Sequence, residues 1–216
     1  KMGLLPSDDI SLCNLVTGYI RDNIRLIPKV LICIIINDLK RCDIWWNKMH
    51  GNGILINQYI CQTNKSRNLD DLIWGSIYGT KIIKNGIYIW EIKINKISHH
   101  NGWNFCIGII KNDINVLKHL RQSNIMTHSH NYNEIYGWSV GIYHYLLNHK
   151  KQDILYAKTC HKNDIIKVIL NLNNNTLKFN INNIDYGNAY KNVIKTQNGY
   201  RLVVCIDGNQ SELELL

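Results

Sequence analysis

No uninterrupted apolar run in this 216-residue chain is long enough to cross a membrane. The longest, Val30 to Ile36 (VLICIII), falls far short of the roughly 20 residues that a spanning helix needs. The opening residues also lack a charged start, apolar centre and small-residue cleavage site, so no secretory leader is expected. Closely spaced cysteine pairs are missing as well. The seven cysteines, at positions 13, 33, 42, 61, 106, 160 and 205, are scattered, mostly inside apolar runs, which argues for buried thiols and against a structural zinc site or a disulfide framework. Together these absences imply a soluble, intracellular (cytoplasmic) protein with no membrane insertion. Lys1 ahead of Met2 reads as the start of a fragment.

Catalytic signatures are equally scarce. No paired carboxylates, no His held by an orienting acid and no activated Ser or Cys can be recognised, and there is no phosphate-cradling GxxxxGK loop followed by Ser or Thr. The expectation is a protein that is not an enzyme and uses no cofactor or small-molecule substrate. His99, His100, His128, His130, His144, His149 and the pair Cys160-His161 would supply enough ligands for a metal, but their spacing is unspecific and no metal is expected.

Proline, phenylalanine and alanine occur only twice each, whereas Ile, Asn and Lys abound. Codons for those three residues are rich in A and T, so the composition points to an AT-biased genome. This weakens any argument from the formal net charge of +9, which would otherwise favour an acidic partner. Basic residues are spread out, with modest groups at Lys65-Arg67, Lys118-Arg121 and Lys150-Lys151 and no dense stripe interleaved with aromatics, so nucleic acid is a disfavoured partner.

What the chain does have is strands. The stretch NLNNNTLKFNINNIDYGNAY, residues 171–190, is nearly half asparagine and could pass for a disordered spacer. Its apolar residues Leu170, Leu172, Leu177, Phe179 and Ile181 fall at alternate positions on either side of Asn173 to Asn175, which describes two half-buried strands joined by a tight turn. Asp185-Tyr186-Gly187 reads as the bend that follows. From Trp45 onward short strands recur: GILINQYICQ from Gly53, WGSIYGTKII from Trp74, a hairpin turn at Asn85-Gly86, IYIWEIKI from Ile87, WNFCIGII from Trp103, YGWSVGIYHY from Tyr136, DILYA from Asp153, DIIKVILNL from Asp164, then YRLVVCI and SELELL. A long polar connection covers 111–134.

Residues 1–42 differ. Ser7-Asp8-Asp9 offers N-cap chemistry ahead of Ile10, Leu12, Leu15, Val16, Tyr19 and Ile20 at helical spacing. A second segment begins at Pro28, a first-turn proline, and ends with Lys40-Arg41 at the negative end of the dipole, although its β-branched centre leaves a buried strand as the competing reading. The expected organisation is an N-terminal helical segment, 1–42, and one all-β domain, 43–216.

The order GIYIWEIKI, WNFCIGIIK, YGWSVG, KNDIIKVILNLNNNTLKFNINNIDYGNAY and YRLVVCIDGNQSELELL resembles a SPRY domain over roughly residues 45–216. The family's run G-D-x-I-x-V-x-L-D-L-x-x-x-x-L-x-F-x-x-N-G-x-x-x-G-x-A-F is matched at Asp164, Ile166, Val168, Leu170, Leu172, Leu177, Phe179, Asn182, Gly187 and Ala189. It is departed from at Asn163 and Asn183 (usually Gly), Asn171 (usually Asp) and Tyr190 (usually Phe). The N-terminal part resembles a short helical segment that accompanies SPRY domains in some protist proteins.

The resemblance implies a bent antiparallel β-sandwich, concanavalin-like, in which Trp90, Trp138, Phe179 and Gly187 are framework. It also implies protein binding through loops at one end of the sandwich. The candidate loops are 64–71, 99–102, 112–135 and 206–209, and the residues carried over to one pocket are Lys65, Arg67, Tyr132, Ile135, Tyr136, Ile206, Asp207 and Gly208. The expected partner is a protein or short peptide. A structural subunit of a cytoskeletal or ciliary assembly is the alternative, with the apolar N-terminal segment as its contact.

Overall fold

Alternation of buried and exposed side chains marks one sheet of the described residues, and burial on both faces marks the other. In the computed structural model the described residues are 45, 50–51, 53–63, 75–97, 103–120, 135–141, 145–147, 154–206 and 211–216. The expected N-terminal helical segment lies outside them, and Trp45–Leu216 form one compact unit.

Thirteen strands and one helix are present among the described residues: β1 (His50–Gly51), β2 (Gly53–Leu55), β3 (Ile60–Thr63), β4 (Gly75–Tyr78), β5 (Ile87–Lys96), β6 (Trp103–Lys111), α1 (Ile114–Leu120), β7 (Ile135–Gly141), β8 (Leu146–Leu147), β9 (Ile165–Asn171), β10 (Thr176–Ile181), β11 (Ile184–Tyr190), β12 (Tyr200–Ile206) and β13 (Glu212–Leu215). They build two antiparallel sheets, one of order β1-β4-β12-β6-β7-β8 and one of order β11-β10-β9-β5-β13-β3-β2. This is the expected all-β sandwich.

The core fills the space between the sheets. Trp90, Ile92 and Ile94 of β5, Ile166, Val168 and Leu170 of β9, and Leu177, Phe179 and Ile181 of β10 meet Phe105, Ile107 and Ile109 of β6, Trp138 and Val140 of β7, and Leu202, Val204 and Ile206 of β12. Each such side chain contributes roughly 1.5–3 kcal/mol by leaving water. The seven-stranded sheet turns its other face outward, which is why its strands alternate. The six-stranded sheet is buried on its second face too: Tyr78, Cys106, Ile110, Ile135, Val203 and Cys205 cluster there with Val116 of α1. Runs such as FCIGII and LVVCI are therefore apolar at successive positions.

The asparagine-rich stretch is the expected hairpin. Thr176 pairs with Asn171, Asn171 Oδ1 accepts the N–H groups of Asn173 (3.0 Å) and Asn174 (3.1 Å), and Asn175 has φ 57°. Five local expectations change. Asp185-Tyr186-Gly187 is not a bend but part of β11, and the turn before it is Asn182-Asn183, with φ 50° and 67°, the two-residue geometry that suits a hairpin. Gly187, at φ 80°, sits where the register of β10 and β11 slips. The Asn85-Gly86 turn closes no hairpin, because β4 and β5 belong to different sheets. GILINQYICQ breaks into β2 and β3 around Asn57, whose Oδ1 accepts from the N–H groups of Tyr59 (2.8 Å) and Ile60 (2.9 Å), and DILYA supplies only a single bridge, Leu155 to Tyr145. The connection after β6 holds α1, capped by Asp113, whose Oδ1 accepts from Asn115 N–H (2.8 Å).

Candidate functional site

Strand pairing decides which loops can share a surface. Ile206 at the end of β12 is in register with Gly75 at the start of β4 and with Phe105 near the start of β6, and Trp103 is in register with Gly141. In the other sheet Glu212 pairs with Gln62 and with Lys96. The anchors of 64–74, 98–102 and 207–210 therefore lie at one end of the sandwich. At the opposite end Tyr200 pairs with Lys111, and Ile110 with Ile135. With seven residues in β12, the two ends are roughly 20 Å apart.

This geometry sorts the eight candidate residues. Lys65, Arg67, Tyr132, Asp207 and Gly208 lie outside the described residues. The strand ends that bracket Lys65, Arg67, Asp207 and Gly208 are at the first end, next to Ile206, whereas the connection carrying Tyr132 is anchored at the opposite end, where Ile135 and Tyr136 begin β7. Ile206 (0% exposed), Ile135 (1%) and Tyr136 (8%) are interior side chains. Tyr136 Oη accepts the N–H of Ile194 (3.1 Å), and its ring meets those of Tyr190 and Tyr200 edge-on.

Around the first end, polar side chains are engaged with one another and with backbone. Asn95 Nδ2 donates to Glu212 Oε1 (3.0 Å) and Glu214 Oε2 (3.2 Å). Asp164 accepts from His161 N–H (2.8 Å) through Oδ2 and from Asn182 Nδ2 (2.6 Å) through Oδ1. His161 is exposed while Cys160 is buried, with its thiol pushed upward by burial; burial does the same to Cys61. Among the described residues no three His, Cys, Asp or Glu side chains come together as a metal-binding group. His99, His100, His128, His130, His144 and His149 lie outside the described residues.

Two tyrosine hydroxyls do what the sequence pattern left invisible, filling gaps in ladders. Tyr156 Oη accepts from Phe179 N–H (3.1 Å) and faces the carbonyls of Gly187 (2.7 Å) and Phe179 (3.0 Å), at the slip between β10 and β11. Burial raises its phenol to about 12. Tyr190 Oη reaches across from β11 to the other sheet, accepting from Gly137 N–H (3.1 Å) and facing the carbonyls of Gly137 (2.5 Å) and Leu147 (2.7 Å). Trp90, Trp138 and Phe179 are buried, as expected of framework.

Comparison with known proteins agrees with this architecture. The SPRY domain family matches residues 87–215, more than half of the chain. The SPRY domain of human HERC1 superposes with a TM-score of 0.57 at 15% identity, covering 76% of this chain and 93% of that one. The Drosophila melanogaster Neuralized NHR1 domain gives 0.58 at 16% identity, covering 81% and 97%. The TRIM65 PSpry domain gives 0.53 at 14% identity, covering 77% and 86%. No curated protein matches the sequence. With the motif order, the two-sheet sandwich and the match over 87–215 in agreement, the chain belongs to the SPRY domain family.

Proposed function

We propose that this SPRY domain is a non-catalytic interaction module that binds a short peptide or exposed loop of a partner protein through 64–71, 99–102 and 206–209. The observation that carries this reading is the register of Ile206 with both Gly75 and Phe105, which gathers the anchors of these three loops at one end of a rigid sandwich. Such an arrangement lets loop side chains vary without disturbing the core. Lys65, Arg67, Asp207 and Gly208 are the contact residues in this reading. Ile206 serves from beneath, because it is buried, whereas Ile135 and Tyr136 are buried at the opposite end and take no part in this contact. An intracellular setting fits the four buried, unbridged cysteines at 61, 106, 160 and 205. No helix among the described residues is long and apolar enough to cross a membrane.

The test is selection of peptides from a random display library on the immobilised chain, followed by titration of the enriched peptide against Lys65→Ala, Arg67→Ala and Asp207→Ala. Truncating a hot-spot side chain weakens binding by roughly thirtyfold, with the melting temperature unchanged. Enriched peptides that bind all three variants as they bind the parent would refute the assignment.

A further inference from the structure

The opposite end of the sandwich carries a second surface, built from residues 79–87, 172–175 and 191–199. These segments are stitched together. Ile83 and Tyr200 exchange N–H to C=O bonds in both directions (2.8 Å each), Leu172 N–H donates to Gly86 O (2.9 Å), Val193 N–H to Asn175 O (2.8 Å) and Asn112 N–H to Gly199 O (2.9 Å). Arg201 holds the first segment from below, donating through Nη1 to the carbonyls of Gly79 (3.1 Å) and Thr80 (2.5 Å). Gly199 has φ 74°, and a Cβ there would lie 2.6 Å from Ile83 O, so the two loops approach closely.

Ile194 is pinned at both backbone groups. Its N–H donates to Tyr136 Oη, and its carbonyl accepts from Tyr200 Oη. Its side chain is nevertheless 57% exposed, and Ile82 on the neighbouring loop is 36% exposed. Lys81, Lys84, Lys191 and Lys195 are exposed around them, with Lys81 lying over the Tyr88 ring. No Asp or Glu occurs in 79–87, 172–177 or 191–200. Among the described residues Asp113 neighbours this surface, next to Asn112, and its carboxylate is engaged by Asn115 N–H.

We propose that this end adsorbs peripherally to an anionic phospholipid surface, the lysines meeting headgroup phosphates and carboxylates and Ile82 and Ile194 reaching the headgroup boundary. Three features favour a bilayer over a peptide or nucleic acid. The backbone N–H groups of Ile83, Val193, Ile194 and Gly199, which flank or belong to the exposed tips, are already bonded within the domain and are not offered to a peptide strand. The exposed side chains of the three segments include no aromatic ring on which a base could stack. Ammonium groups around rigid, protruding aliphatic tips supply the two non-directional terms that interfacial binding uses.

The test is co-sedimentation of the full chain with vesicles of equimolar phosphatidylserine and phosphatidylcholine, compared with vesicles of phosphatidylcholine alone. Binding to the anionic vesicles only is expected, with about a fivefold loss for each of Lys84→Gln, Lys191→Gln and Lys195→Gln. Ile82→Ser and Ile194→Ser should weaken binding roughly tenfold with no change of charge. Lys162→Gln, at the other end, should leave it unaltered, and the melting temperature of every variant should match the parent. The proposal is overturned if the folded chain ignores anionic vesicles, if Lys162→Gln costs as much as the others, or if both vesicle types bind alike. Capture of an acidic peptide or an oligonucleotide by this end without vesicle binding also overturns it.

Discussion

Replacing Tyr190 by phenylalanine restores the residue usual in the family, and a consensus argument expects it to stabilise the fold. The structure demands the opposite. The Tyr190 hydroxyl is buried between the sheets, accepts the Gly137 N–H at 3.1 Å and shares its single proton between the carbonyls of Gly137 (2.5 Å) and Leu147 (2.7 Å). Phenylalanine keeps the ring packing against Tyr136, with centroids 5.3 Å apart, but removes every one of these polar contacts. The cost is that of leaving a buried N–H and its neighbouring carbonyls short of partners, about 1–3 kcal/mol. For a domain of this size that lowers the melting temperature by roughly 2–4 °C per kcal/mol, hence by several degrees. The assay is thermal and urea unfolding of Tyr190→Phe beside the parent. A variant equal to or more stable than the parent would refute the claim that this hydroxyl links the two sheets.

The second family departure behaves differently: Asn183→Gly relieves a side chain at φ 67° and should be neutral to stabilising by up to about 1 kcal/mol in the same unfolding assay. Gly108→Ala should be severely destabilising, by more than about 3 kcal/mol, because its Cβ would sit 2.1 Å from Tyr136 O and 2.6 Å from Gly137 Cα, against backbone that cannot step aside; failure to obtain folded protein by circular dichroism checks it. Alkaline pH should unfold the domain. Tyr156, raised from 10.0 to about 12 by burial, remains protonated in the folded state where the unfolded chain has lost its proton, so its contribution is intact below pH 10.0 and disappears as pH rises through about 12. Burial raises Tyr190 and Tyr200 in the same direction, and urea midpoints should therefore fall between measurements near neutrality and measurements between those two values.

The seven-stranded sheet was legible because one of its faces meets water: IYIWEIKI and the asparagine-rich hairpin carry the period of two openly. The six-stranded sheet hid its register, since Cys106 and Ile110 are buried on the face opposite Phe105, Ile107 and Ile109. Helix α1 had a readable signal, Asp113 ahead of Ile114, Val116 and Leu117, submerged in a polar connection. The candidate surface was only half legible. Which end of the sandwich a loop occupies follows from pairings between strands far apart in the chain, such as β12 with β4, and no local pattern reports them. Ile135 and Ile206 close and open expected loops in the sequence, but they are the first residue of β7 and the last of β12, and both are interior, as is Tyr136. The tyrosine hydroxyls that bridge irregular ladders were unreadable for a related reason, as their partners are backbone groups brought close only by folding.

Hydrogen–deuterium exchange of the full chain, with and without a display-selected peptide, tests the interaction account most directly. The account predicts slowed exchange in fragments covering 64–74, 98–102 and 207–210, with 79–86 and 191–199 unchanged. Protection confined to 79–86 and 191–199, or to residues 1–42, would contradict it.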